Sequence, residues 1–181
     1  MSTRNPGYPD LHDHLDTLKA RGLLQVIDRA IDKDAELHPL VRWQFVGGMA
    51  ESERKAFLFT NIVNAQGRRY PFPVVVGALA ANREIYSVGM GSKVEDIQKR
   101  WEKAIAHPIA PRLVDKPECQ DVIVEGAALL GEVQGLDMLP IPVSTPGFDS
   151  APTLTATNVI TMDPAHRRAK HGHLPLCLKG F

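Results

Sequence analysis

The feature that most constrains this chain is a change of character at residues 107–121, HPIAPRLVDKPECQD. Before it, apolar residues recur at helical spacing in some stretches and cluster in short β-branched runs in others. After it, proline recurs and the helical period vanishes. Strands alternating with helices over residues 1–107 predict an α/β domain. A Pro-rich linker is expected at 108–118, and a β-rich region of short strands and turns, opened by VIVEG, from Cys119 onward. Residues 119–164 hold material for two or three strands, which leaves an open edge and half a core. The region from 165 to 181 is atypical and is treated separately below.

Within the first part, Asp10 is placed to cap a helix on which Leu11, Leu15 and Leu18 share a face, and Gly22 is placed to end it. A strand at 23–28 and a second helix at 35–46 follow. The runs AFLFTNIV (56–63) and PVVVGALA (73–80) read as strands. ANREIYSVGMG reads as a helix start closed by glycines. Residues 94–106 form the clearest amphipathic pattern, with Val94, Ile97, Trp101 and Ile105 in one stripe. Trp43 and Trp101 are expected in the core.

Composition removes several function classes. The 181 residues carry a formal net charge of zero, and basic residues bunch only at Arg167, Arg168 and Lys170. Neither nucleic acid nor an anionic membrane is an expected partner. Cys119 and Cys177 form no CxxC pair, so no disulfide framework or zinc site is expected, and a reducing compartment follows. The N-terminus has no apolar signal-peptide core, and no run of about 18 apolar residues exists to span a bilayer. A cytoplasmic protein is expected.

Residues 135–164, GLDMLPIPVSTPGFDSAPTLTATNVITMDP, describe a proline-bounded extended segment, one strand and a turn. In the strand, Leu154, Ala156, Asn158 and Ile160 alternate with Thr155, Thr157, Val159 and Thr161. Its plain reading is a barrel strand with one polar face.

This stretch closely resembles the approach to the active site in UbiD-like decarboxylases, which use a prenylated flavin. DLHDHLDTLKARGLLQVIDRAIDKDAELHPLVR resembles that family's first helix, strand and second helix, and KAFLFTNIVNAQGRRYPFPVVVGALAANREIYSVGMG its strand pair and next helix. AIAHPIAPRLVDKPECQDVIVEG resembles its entry into a split β-barrel of the flavin-reductase type. The resemblance runs from Asp10 to Pro164. It implies an N-terminal α/β domain followed by the incomplete start of that barrel. It also implies a complete enzyme that decarboxylates an aromatic or α,β-unsaturated carboxylic acid, using prenylated FMN and a divalent metal (Mn or Mg). The family generally forms homo-oligomers. Thr155, Thr157 and Asn158 are the residues it would set beside the cofactor.

In the family the Asp-Pro turn is followed by a strand of the form TGVQNMGTYR, whose Asn holds the metal and whose Arg touches the flavin. Here those positions fall on or beside Lys170 and Pro175. A lysine brings a cation where a metal wants an oxygen, and a proline brings no donor. The family's remaining His and Glu ligands and its acidic residues are expected beyond Phe181. No catalytic or metal-binding residue is therefore assigned, and the chain by itself is expected to be inactive. Reading the codons of AHRRAKHGHLP one base later permits the family string throughout: Ala165 permits Pro, Lys170 permits Asn, and Pro175 permits Arg. A one-base frameshift near Pro164 is the expectation. The alternative is a non-catalytic accessory module that docks on a larger subunit through its open β-edge.

The other motifs have plainer readings. His166, His171, His173 and Cys177 are suitable ligand types, but a ligand-rich tract without a scaffold is weak evidence, and the frameshift explains the same residues. His12 and His14 point to different helix faces and are expected in solvent. Gly89–Ser92 (GMGS) follows a helix rather than a strand, so it terminates the helix rather than cradling phosphate. Cys119 is expected as a buried thiol.

Overall fold

The computed structural model describes residues 10–110, 114–117, 120–166 and 169–178, with backbone alone at 155, 156, 169–171, 173 and 174. Cys119, Arg167 and Arg168 lie outside the described residues. The fold is mixed α/β, with four α-helices and three small sheets among the described residues. The chain divides into two compact units, each threaded by several segments.

The first unit comprises Met1–Ile27, Gly48–Leu58 and Val75–Leu139. Helix α1 (Leu11–Ala20) begins where Asp10 accepts from the Asp13 N–H at 3.0 Å. It ends in a left-handed Gly22, with the Leu23 N–H on the Leu18 carbonyl and the Gly22 N–H on the Lys19 carbonyl. That pair of bonds satisfies carbonyls the helix leaves open, and only glycine adopts the turn without strain. Strand β1 (Leu24–Ile27) follows directly. Helix α3 (Arg83–Met90) repeats the scheme: Asn82 caps it through the Ile85 N–H, and left-handed Gly91 closes it. Asn82 also donates to the Arg54 carbonyl at 2.6 Å, which ties the cap to the chain entering strand β3 (Ala56–Phe59).

The core of this unit is Leu18, Ala56, Ala78, Ala81 and Ile85, flanked by Leu15, Leu23, Leu24, Val75 and Val88. Its three alanines are small, which lets helix and sheet backbones approach closely. The sheet orders β1–β3–β5, with β5 at Val74–Val76. His14, expected in solvent, is fully buried, and its Nε2 lies 2.6 Å from the Ala78 carbonyl oxygen. The reason is positional: Leu18 follows His14 by one turn on the same inward face. His12 remains exposed.

Helix α4 (Ile97–Ala106) follows a 3-10 turn at Val94–Asp96. Its apolar stripe is not a core stripe. Trp101 is 47% and Ile105 74% exposed, and no residue of α4 is buried. Trp101 satisfies its indole N–H on the Tyr86 hydroxyl at 2.6 Å. Past it, described residues up to Leu139 are almost all exposed and contain two 3-10 turns but no strand. The strand expected from VIVEG does not form among them.

The second unit comprises Asp28–Gly47, Phe59–Val74 and Pro140–Phe181. The run read as one strand at 56–63 breaks at Thr60-Asn61, and β4 (Ile62–Val63) pairs in parallel with β2 (Ile31–Asp32). Helix α2 (Leu37–Val46) starts from a turn in which Asp32 accepts the Asp34 and Ala35 N–H groups while Glu36 accepts that of Asp32. Pro39 sits in the first turn, where no helical N–H is lost. Trp43, expected in the core, is 67% exposed.

Strands β6 (Thr153–Met162) and β7 (Ala169–Cys177) form an antiparallel hairpin. The register runs from Met162↔Ala169 to Thr157↔Leu174, then slips so that Leu154 meets Leu176. Two residues of β6 thus oppose Pro175 alone. Proline has no N–H for the ladder, and a bulge is the geometry that accommodates it.

Candidate functional site

The candidate site is the β6–β7 hairpin and the chain that enters it. Ile141 is buried, and its carbonyl accepts from the Lys33 Nζ at 3.0 Å. Lys33 is itself buried, and its charge is met by Asp34 at 2.6 Å. Its Nζ lies 5.8 Å from the centroid of the Tyr70 ring, over which Arg68 also stacks at 4.5 Å. A buried ammonium is tolerated only when paired and hydrogen-bonded, and Lys33 is both. Beyond it, the Thr153 N–H donates to the Pro142 carbonyl at 3.0 Å, which fixes the start of β6. The sequence offered no sign of this anchor: Lys33 lies in a charged DKD run that reads as surface, and its acceptor is more than a hundred residues away.

Of the three residues expected beside a cofactor, the Thr155 side chain lies outside the described atoms. Thr157 is half-buried and turns its hydroxyl to the Leu154 carbonyl at 3.4 Å. Asn158 is exposed and, as the next residue along the strand, projects to the opposite face. Thr157 faces Leu174 across the ladder, and Asn158 faces His173. At the buried end, Thr153 donates to the Ala151 carbonyl at 3.2 Å and touches the Cys177 thiol at 3.4 Å.

The turn between the strands is built by Asp163, whose carboxylate accepts the Ala165 N–H at 2.9 Å and contacts His166 Nδ1 at 2.9 Å. The His166 contact, then the backbone donor, hold the Asp163 carboxyl below its ordinary range. In the second unit, burial lowers the pKa of His38 from 6.5, so its imidazole favours the neutral form.

No family profile matches the chain. Solved structures do match. The UbiD-class enzyme HmfF from Pelotomaculum thermopropionicum, in complex with FMN, is 28% identical over 94% of this chain, with a TM-score of 0.73. An evolved dimeric form of the same enzyme, in complex with prFMN, gives 27% over 96% and a TM-score of 0.75. A 3,4-dihydroxybenzoic acid decarboxylase from Enterobacter cloacae shares the fold at a TM-score of 0.77 and 23% identity. This chain spans about a third of the length of each: 34%, 36% and 35% respectively. The chain is UbiD-like, and it corresponds to the N-terminal portion of that class.

The two positions that the resemblance marks for a metal ligand and a flavin contact hold Lys170 and Pro175. Among the described residues no three His, Cys, Asp or Glu side chains gather into a possible ion site. Lys170 stands opposite Thr161, and Pro175 is exposed across from the bulge. A lysine and a proline supply neither an oxygen ligand nor a guanidinium. Among the described residues, no helix is long and apolar enough to cross a membrane.

Proposed function

We propose that this chain carries the front part of a cytoplasmic UbiD-like carboxy-lyase and leaves the family pattern at Pro164 through a one-base frameshift. The complete enzyme would decarboxylate, reversibly, an aromatic or α,β-unsaturated carboxylic acid. Prenylated FMN would act as electron sink in a split β-barrel, with Mn or Mg anchoring its phosphate. The observation that carries the reading is the contrast across one hairpin. Likeness to HmfF extends over 94% of the chain, yet Lys170 and Pro175 occupy positions where the resemblance requires an amide ligand and a guanidinium. This chain's own residues would then build the approach: Lys33 holds Ile141, and the Pro142 carbonyl holds Thr153. Thr155, Thr157 and Asn158 would border the cofactor only in a complete barrel. The chain as translated performs no proton transfer.

The test is spectroscopic. The purified chain, mixed with prenylated FMN and Mn, is expected to leave the flavin free and to release no CO2 from aromatic or unsaturated acids. Retention of flavin through gel filtration, together with turnover, would overturn the proposal. A second reading, an accessory module docking on a larger subunit, draws support from the two-stranded β6–β7 sheet, which has no third strand among the described residues. Co-purification with an intact UbiD-like subunit would favour it.

A further inference from the structure

Within the first unit, α1, α4 and the turn that closes α3 leave an open groove of about 1190 Å³. Five cations line it: Arg21 at the end of α1, Lys93 after α3, and Lys99, Arg100 and Lys103 on α4. Three acids line it as well, Asp13 and Asp16 on α1 and Asp96 just before α4. None of these charges makes an ion pair among the described residues, so the walls do not neutralise one another across the gap. Ser92 borders the same groove, and its hydroxyl, shielded from solvent, has no hydrogen-bond partner among the described residues. Buried hydroxyls are ordinarily satisfied, and this one is an unmet donor that an oxygen seated in the groove would meet.

The surplus of positive charge favours an anion, and its layout favours one with more than one anionic group. Lys99 and Lys103 stand one turn apart on α4, whereas Arg21 belongs to the opposite wall. A single phosphate meets one of these and leaves the other bare. The acids narrow the class further. Asp13, Asp16 and Asp96 repel a uniform polyanion such as nucleic acid, yet carboxylates accept readily from hydroxyls. No aromatic side chain lines the groove, so nothing in it stacks on a base. Trp101 and Ile105, the exposed apolar residues of α4, are not part of the lining either, so a peptide anchored by apolar side chains finds no grip there.

We infer that this groove binds a small, hydroxyl-bearing polyphosphate of the sugar bisphosphate class. Its phosphates rest on Arg21 and on the α4 cations, and its hydroxyls donate to Asp13 and Asp16. Charge-assisted hydrogen bonds from lysine and arginine to phosphate are the strong contacts, and the carboxylates supply the preference for a sugar over a bare polyphosphate. The inference rests on the groove alone and stands apart from the decarboxylase reading.

Isothermal titration calorimetry on the full chain tests it, with fructose 1,6-bisphosphate as the probe. Saturable binding at a single site is expected, weaker as NaCl is raised and about tenfold or more tighter than that of inorganic phosphate. Lys99→Gln with Lys103→Gln should weaken it about tenfold or more. Arg83→Gln with Lys116→Gln removes the same charge from exposed positions outside the groove and should leave it unchanged. Asp13→Asn with Asp16→Asn should narrow the preference for the sugar bisphosphate over pyrophosphate, which carries no sugar hydroxyls. Circular dichroism checks the fold, and if the lysine pair perturbs α4, Arg21→Gln with Lys93→Gln replaces it. Absence of binding at millimolar probe, equal loss in the groove and control variants, an unchanged preference in the aspartate variant, or tighter binding of ADP or an oligoglutamate peptide would each overturn the inference.

Discussion

The helical core of the first unit and the β6–β7 hairpin of the second are held together in different ways. In the core, backbone ends, caps and packing agree: Asp10 and Asn82 start the helices, left-handed Gly22 and Gly91 end them, and Leu18 and Ile85 are fully buried between. In the hairpin, backbone pairing runs the length of both strands while the side chains disagree with it. Strand β7 carries Gly172 and Pro175, which weaken or interrupt a ladder, and exposes Leu176. A strand can therefore stay paired although some of its residues disfavour a ladder.

The largest effect is expected in the core. Leu18→Ala removes a fully buried side chain from a small cluster and should cost about 2–5 kcal/mol, read as a lower urea midpoint with unchanged slope. A loss below about 1 kcal/mol would mean the core is not packed as described. Asn82→Ala comes next, because it deletes the α3 cap and leaves the Arg54 carbonyl without that donor. About 1–2 kcal/mol is expected by the same measurement.

A smaller effect belongs to His38. Its folded pKa lies below its unfolded one, so unfolding takes up a proton as the pH falls. The stability it contributes is present above 6.5 and is lost as the pH drops below that value, whereas His38→Gln should flatten this part of the profile. The smallest global effect is in the hairpin. Pro175→Val gives β7 a ladder N–H and should raise hydrogen-exchange protection of β6 near Leu154–Thr157, while moving overall stability by less than about 1 kcal/mol. If it instead destabilises the chain as much as Leu18→Ala, the contrast between the two regions fails.

Much of this was legible in the sequence, and the failures have physical causes. The caps at Asp10, Gly22 and Gly91 were readable because a single residue type satisfies each geometry. The break at Thr60-Asn61 was passed over because the apolar runs on either side read as one strand, although Asn61 is a turn-favouring residue within it. His14 was misjudged because polarity was weighed above its place one turn before Leu18. Trp43 and Trp101 were misjudged for the opposite reason, since helical spacing defines a face without saying that anything covers it. At the hairpin, the alternation in LTATNVIT located β6, but the slip opposite Pro175 depends on a partner strand that the pattern of β6 does not encode. The Lys33–Ile141 anchor depends on a contact between distant segments, which no local signal reports.

The claim that the family pattern runs to Pro164 and is lost immediately after it is tested most directly by reading the coding DNA from Pro164 to Pro175. The account predicts codons that, taken one base later, spell a strand of the form PTGVQNMGTYR, with an Asn codon overlapping Lys170 and an Arg codon overlapping Pro175. Codons that cannot encode that string in the shifted frame would contradict it.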